Sequence, residues 1–104
     1  MEVTIKKQSL KSLYVSASGR LDLENSVEYG TKIKDAIEDS DEVIENVTLD
    51  FSEISFIASF GLKVILELYK QLKVQEGRLV LKNVSEQIKN SFKMVGFDKF
   101  LLFE

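Results

Sequence analysis

Ser59 is the residue of this chain best placed for chemistry, because of where it falls. Val47, Leu49 and Phe51 alternate with Thr48, Asp50 and Ser52, the two-residue period of a half-buried strand. From Leu62 the period lengthens. Leu62, Ile65, Leu66, Tyr69 and Leu72 fall at helical spacing, and Glu76-Gly77 ends the run. Ser59 therefore stands where a strand gives way to the opening turn of a helix. The first amides of a helix have no intrahelical acceptor, and the summed peptide dipoles put partial positive charge beside them. An oxyanion is favoured there without any special side chain. A phosphate on the Ser59 hydroxyl would meet those donors and add nearly two negative charges. The alternative is that Ser59 merely caps the helix, as serines commonly do. Spacing alone favours the cap.

Other chemistry has few residues to work with. Histidine, the commonest general base and metal ligand, is absent, and so is cysteine. There is no Gly-rich loop followed by Lys-Ser/Thr and no nucleophile–base pair, so nucleotide binding or hydrolysis ranks low. The acidic run from Asp39 to Glu45 reads as a solvated exit loop, since no helical or turn spacing converges its carboxylates on a metal. No catalytic residue, cofactor or metal site is expected. The composition, 44% hydrophobic and 30% charged, is that of an ordinary globular domain. A net charge of −3 gives no electrostatic reason to expect nucleic acid as a partner. Neither a signal-peptide pattern nor a membrane-length apolar run is present, which predicts a soluble cytoplasmic protein without membrane insertion.

The residues around Ser59 resemble the signature of the STAS domain, the fold of bacterial anti-sigma factor antagonists. That pattern is an apolar strand ending in aspartate, a short turn, and Asp-Ser-Ser/Ala-Gly-Leu opening a helix. The matching residues are Leu49-Asp50-Phe51-Ser52, Phe56-Ile57 and Ala58-Ser59-Phe60-Gly61-Leu62. Gly19-Arg20-Leu21-Asp22 matches the family's Gly-x-Leu/Ile-Asp element. Ala58 replaces the usual aspartate, and Phe60 replaces a small residue. The resemblance implies that an anti-sigma factor, itself a serine kinase, phosphorylates Ser59 and meets the surface that carries Asp22. It also implies a regulatory protein, a substrate and not an enzyme. Small STAS proteins are similar, too, to accessory subunits of transport ATPases and other assemblies, which would dock the same helix face without phosphorylation.

The elements that position these residues can be taken in order. Val3 and Ile5, then Leu13, Val15 and Ala17, alternate with polar neighbours, and Lys7 to Lys11 suits a hairpin connection. Strands one and two are therefore expected to pair antiparallel, with Gly19 closing the second. At the turn that follows, Asp22 can bond nearby amides as turn aspartates do, a role compatible with meeting a kinase. The first helix is predicted to start at Asn25, with Glu28 as its capping-box partner. Its buried stripe is predicted as Val27, Gly30, Ile33, Ala36 and Ile37. Residues 47–51 form the third strand, and a helical crossover predicts that it lies parallel to the second. Residues 78–83 form the fourth. Ser85 caps a third helix carrying Ile88, Phe92 and Val95, and Gly96-Phe97 fits its stop. Leu101 to Phe103 reads as a weak edge strand or a segment packed on the core. Residues 1–104 thus form one α/β domain in the order ββαβαβα, a mixed sheet of four to five strands with helices packed on it. That order matches the STAS fold.

Placed on a wheel at ~100° per residue, Leu62, Ile65, Leu68, Tyr69 and Leu72 cluster on one side of the second helix. Phe60 falls almost opposite, with Lys63, Glu67, Lys70 and Val74. It is therefore predicted to be exposed or partly covered, and suited to a partner contact, because interfaces are enriched in aromatics. Alternatively it folds over the preceding loop near Ile57. Lys63, one turn after Ser59, is placed to pair with a phosphate or to remain a solvated lysine. Ala58 is a poor N-cap, costing ~1 kcal/mol relative to an aspartate, and it removes a negative charge beside any phosphate. The expected partner surface is Asp22, Ser59, Phe60, Gly61 and Lys63.

Overall fold

In a computed structural model describing residues 1–104, the period-two segments become four strands. These are β1 (Val3–Ser9), β2 (Ser12–Leu21), β3 (Asn46–Ile57) and β4 (Arg78–Lys82), and a two-residue β5 (Leu102–Phe103) joins them. Three helices connect the strands: α1 (Leu23–Asp39), α2 (Ser59–Val74) and α3 (Glu86–Met94). The sheet order is β1-β2-β3-β4-β5, with β1 antiparallel to β2 and every later pair parallel. Leu101 is buried while Leu102 and Phe103 pair with β4, so the last segment is both core and edge strand.

One face of the sheet carries the core. Val15, Leu49 and Leu81 stand in register across β2, β3 and β4 and are fully buried. Ile33 of α1, Ile65 of α2 and Phe92 of α3 belong to the same buried cluster, so all three helices share that face. Burying each such side chain is worth about 1.5–3 kcal/mol. The alternate residues Tyr14, Ser16, Thr48 and Asp50 point to the other face and stay half-buried.

Helix α1 starts earlier than expected. Its cap is Asp22, whose carboxylate accepts from the Asn25 amide at 3.0 Å. Asn25 instead donates its side-chain amide to the Arg20 carbonyl at 2.9 Å. Glu28 makes no capping box: it pairs with the Met1 ammonium at 3.1 Å and with Lys32 at 3.6 Å. The buried residues are Ser26, Tyr29, Ile33 and Ile37. Val27 is exposed, and Gly30 and Ala36 are half-covered. The stripe differs because α1 meets two surfaces. The core takes Tyr29 and Ile33, while α2 lies against Gly30, where a β-carbon would come within 2.7 Å of Val64 Cγ1.

Strand β3 does not stop at Phe51 for a turn but continues to Ile57, and β2 runs past Gly19 to Leu21. Their pairing slips twice, between Ser16 and Ser18 and between Gly19 and Arg20. The Asp50 carboxylate accepts from the Ser52 amide at 2.9 Å, a turn-like local bond made inside a strand. Ser85 caps α3 by accepting from the Ile88 amide, as expected, but Val95 lies beyond the helix and is exposed.

Candidate functional site

The C-terminal ends of β2 and β3 meet beside the start of α2. Leu21 pairs with Ile57, and the Ala58 amide donates to the Leu21 carbonyl at 2.9 Å. Ser55 Oγ donates to the Gly19 carbonyl at 3.3 Å. These bonds hold the Gly19–Asp22 segment beside the strand end that leads into Ser59. Asp22 follows directly, with its carboxylate committed at one oxygen to capping α1.

Ala58, not Ser59, is the N-cap of α2. Its extended backbone (φ −88, ψ 170) has the N-cap form, yet no side chain supplies a capping bond. Ser59 is the first helical residue and is exposed. The capping role that spacing favoured for Ser59 is thereby overturned: a hydroxyl one position inside the helix no longer precedes the amides it would cap. The first turn keeps donors and dipole charge without a side-chain acceptor.

Phe60 is half-buried, as the wheel predicts, and lies toward α1, lining a groove with Val27 and Val64. Lys63 is exposed and sets its ammonium 5.8 Å from the Phe60 ring centre. Gly61, expected at the partner surface, is buried instead. A β-carbon there would meet Ile57, Leu21 and Ser26, so this residue faces inward and not toward a partner. Asp22, Ser59, Phe60 and Lys63 are thus gathered at one end of the domain. Asp50, the strand aspartate of the motif, pairs with Ser16 and Lys82 farther down the sheet. It accepts from Tyr14 Oη at 2.7 Å and from Asn83 Nδ2 at 3.1 Å. Burial alone would push its carboxyl up. The hydrogen bonds from Tyr14, Ser52 and Asn83 outweigh that and hold it down to about 2. The same bond to Asp50 raises the Tyr14 hydroxyl. This network braces the sheet.

A family model described as STAS domain matches residues 3–104. The chain belongs to the STAS domain family. It is 37% identical over 51 residues to BtrV of Bordetella bronchiseptica, a protein assigned as an anti-sigma factor antagonist. That match takes in 49% of this STAS domain and 44% of BtrV, less than half of either. The unphosphorylated anti-sigma factor antagonist SpoIIAA superposes with a TM-score of 0.78 at 19% identity, over 99% of this chain and 87% of that one. The phosphorylated form of SpoIIAA, a Bacillus cell fate determinant, gives 0.76 at 20% identity, over 99% and 91%. An anti-sigma factor antagonist from Mycobacterium paratuberculosis gives 0.79 at 21% identity, over 98% and 85%. At these identities the likeness is one of fold, and the mixed five-stranded sheet with three helices is the SpoIIAA fold. No helix in this chain is long and apolar enough to cross a membrane.

Two residues of this end of the STAS domain escape a reading of the sequence. The Arg20 guanidinium stacks over the Phe56 ring, 4.2 Å from its centre. The pair is adjacent across β2 and β3, just before Leu21–Ile57. Alternation alone could not align them, because two register slips intervene. Arg20 adds a second exposed cation to the end that carries Asp22 and Lys63.

Proposed function

We propose that this protein is an anti-sigma factor antagonist that binds a serine-kinase anti-sigma factor and is switched by phosphorylation at Ser59. The observation that carries the reading is Ser59 itself: an exposed hydroxyl at the uncapped first turn of α2, with Asp22, Phe60 and Lys63 around it. Unphosphorylated, that surface offers a partner an aromatic edge, a carboxylate and an ammonium within one neighbourhood. A phosphate there adds a charge of about −1.5 to −2 and considerable bulk inside the contact, which opposes binding. Ala58 in place of an aspartate removes one repulsive charge beside the phosphate. The protein acts as substrate and binder, not as catalyst. Incubation with the cognate kinase and ATP, followed by mass spectrometry, should place one phosphate on Ser59, and Ser59→Asp should weaken the complex. An unmodified Ser59, with binding indifferent to Ser59→Asp, would exclude the switch.

A further inference from the structure

Helices α1 and α2 run parallel, and their contacts advance together. Ser26 lies against Gly61, Gly30 against Val64, and Gln71 Nε2 donates to the Lys34 carbonyl at 3.5 Å. Between them is a slot of about 360 Å³. Its apolar lining is Val27, Phe60, Val64 and Leu68. Lys34 stands on the α1 wall and Glu67 on the α2 wall. Neither is in an ion pair, the chain's three pairs being Met1–Glu28, Lys11–Glu45 and Lys32–Glu28. One end of the slot begins at Phe60, next to Ser59; the other reaches the Gln71–Lys34 bond.

We propose that this slot is the docking groove for an amphipathic helix of the same protein partner that reads Ser59. That helix would carry apolar side chains one turn apart, acidic residues along the flank facing Lys34 and basic residues along the flank facing Glu67. The proposal rests on the reading of Ser59 given above and extends it along the domain. Three arguments select this occupant. A stable protein interface takes about 20–30 residues a side, far more than Asp22, Ser59, Phe60 and Lys63, and the slot is the concave surface that continues from Phe60. Unpaired charges of opposite sign on facing walls complement a helix with differently charged flanks, and an apolar groove between helices is a recurring seat for one. A second copy fits poorly, since a two-fold axis sets the same patch on itself, concave against concave, and leaves the slot unfilled.

The test is a titration of the ¹⁵N-labelled full chain with a synthetic alanine-based helical peptide. The peptide carries two leucines four residues apart, glutamates on one flank and lysines on the other. Amide shifts are expected in residues 27–34 and 60–71. Val27→Asp, at an exposed site that leaves the fold intact, should weaken binding about tenfold or more. Lys34→Glu should weaken it, and the double variant Lys34→Glu/Glu67→Lys should recover it, because the peptide can seat end for end. Shifts that are absent or lie elsewhere overturn the proposal. So do slot shifts that grow with protein concentration without peptide, which would make a second copy the occupant. In the complex with the serine-kinase anti-sigma factor, Ser59→Asp and Val27→Asp should each weaken binding. Loss with Ser59→Asp alone overturns the groove and leaves the Ser59 reading standing; loss with Val27→Asp alone does the reverse.

Discussion

Gly61 touches Ser26: a β-carbon on the glycine would lie 3.1 Å from the serine hydroxyl oxygen. It would also lie 3.1 Å from the Leu21 carbonyl oxygen and 2.7 Å from Ile57 Cγ1. The first turn of α2 is pressed at one point against α1, β2 and β3. That contact, and not a side-chain cap, holds Ser59 in place.

Replacing the glycine should therefore cost stability. The Leu21 carbonyl belongs to the backbone and cannot turn aside as a flexible side chain would. Gly61→Ala is expected to destabilise the fold by about 1–3 kcal/mol, the range of an overpacked core. A urea midpoint equal to that of the wild type would show that α2 can lift away from β2 without penalty.

The opposite sign is expected one turn earlier. Ala58 already has N-cap backbone geometry but supplies no acceptor. Ala58→Asp would accept from an amide of the first turn and set a negative charge at the positive end of the dipole. A gain of ~1 kcal/mol follows, which for a domain of this size raises the melting midpoint by about 4–8 °C. Calorimetry on the two proteins reads it directly. No rise would mean that those amides are already satisfied.

Tyr29 offers a second stabilising change. Its ring is 1% exposed and its hydroxyl has no hydrogen-bond partner in the chain. Burial pushes that hydroxyl's pKa far up, so it stays neutral throughout the working pH range. Tyr29→Phe keeps the ring and removes the unpaired polar group, and should gain about 1–3 kcal/mol in denaturant unfolding. Tyr29→Ala, which empties the site, should lose about 3–5 kcal/mol. A loss on Tyr29→Phe would reveal a buried water holding the hydroxyl.

Acid should act through Asp50. Its carboxyl is held down to about 2 from an ordinary 3.8, so the folded protein favours the ionised form. The stability this contributes is complete above the ordinary value and is lost as pH falls through the folded one. Between pH about 4 and 2 the wild type should lose stability more steeply than Asp50→Asn. Urea midpoints across that interval check it, and parallel slopes would remove Asp50 as the acid-sensitive group.

The order of elements is legible in the sequence because the apolar periods are clean where burial is one-sided. Val15, Leu49 and Ile65 announce their faces without help from the rest of the fold. The start of α1 is not legible in the same way. Asp22 and Asn25 are both good caps three residues apart, and the choice falls to Asp22 only because Leu21 must pair with Ile57. The α1 stripe fails at Val27 and Gly30 because a helix that packs on a sheet and on a second helix buries two narrow arcs instead of one broad one. Phe60 is half-covered as expected but packs toward α1 against the core, not opposite it, while Lys63 falls on the exposed face where the wheel puts it. Gly61 does not, since a residue without a side chain can be chosen for what it allows beneath it. The Arg20–Phe56 stack depends on strand slips that leave no trace in residue type.

The bond from the Ala58 amide to the Leu21 carbonyl has an implication for timing. It anchors the peptide just before Ser59 to the end of β2, a strand paired on both sides, so the ground beneath that hydroxyl does not give way. Under the proposed switch, gain or loss of a phosphoryl group on Ser59 would change the character of the terrain that an incoming molecule meets, with no slow rearrangement of the chain to wait for. The pace of such a response would belong to whatever adds and removes that group.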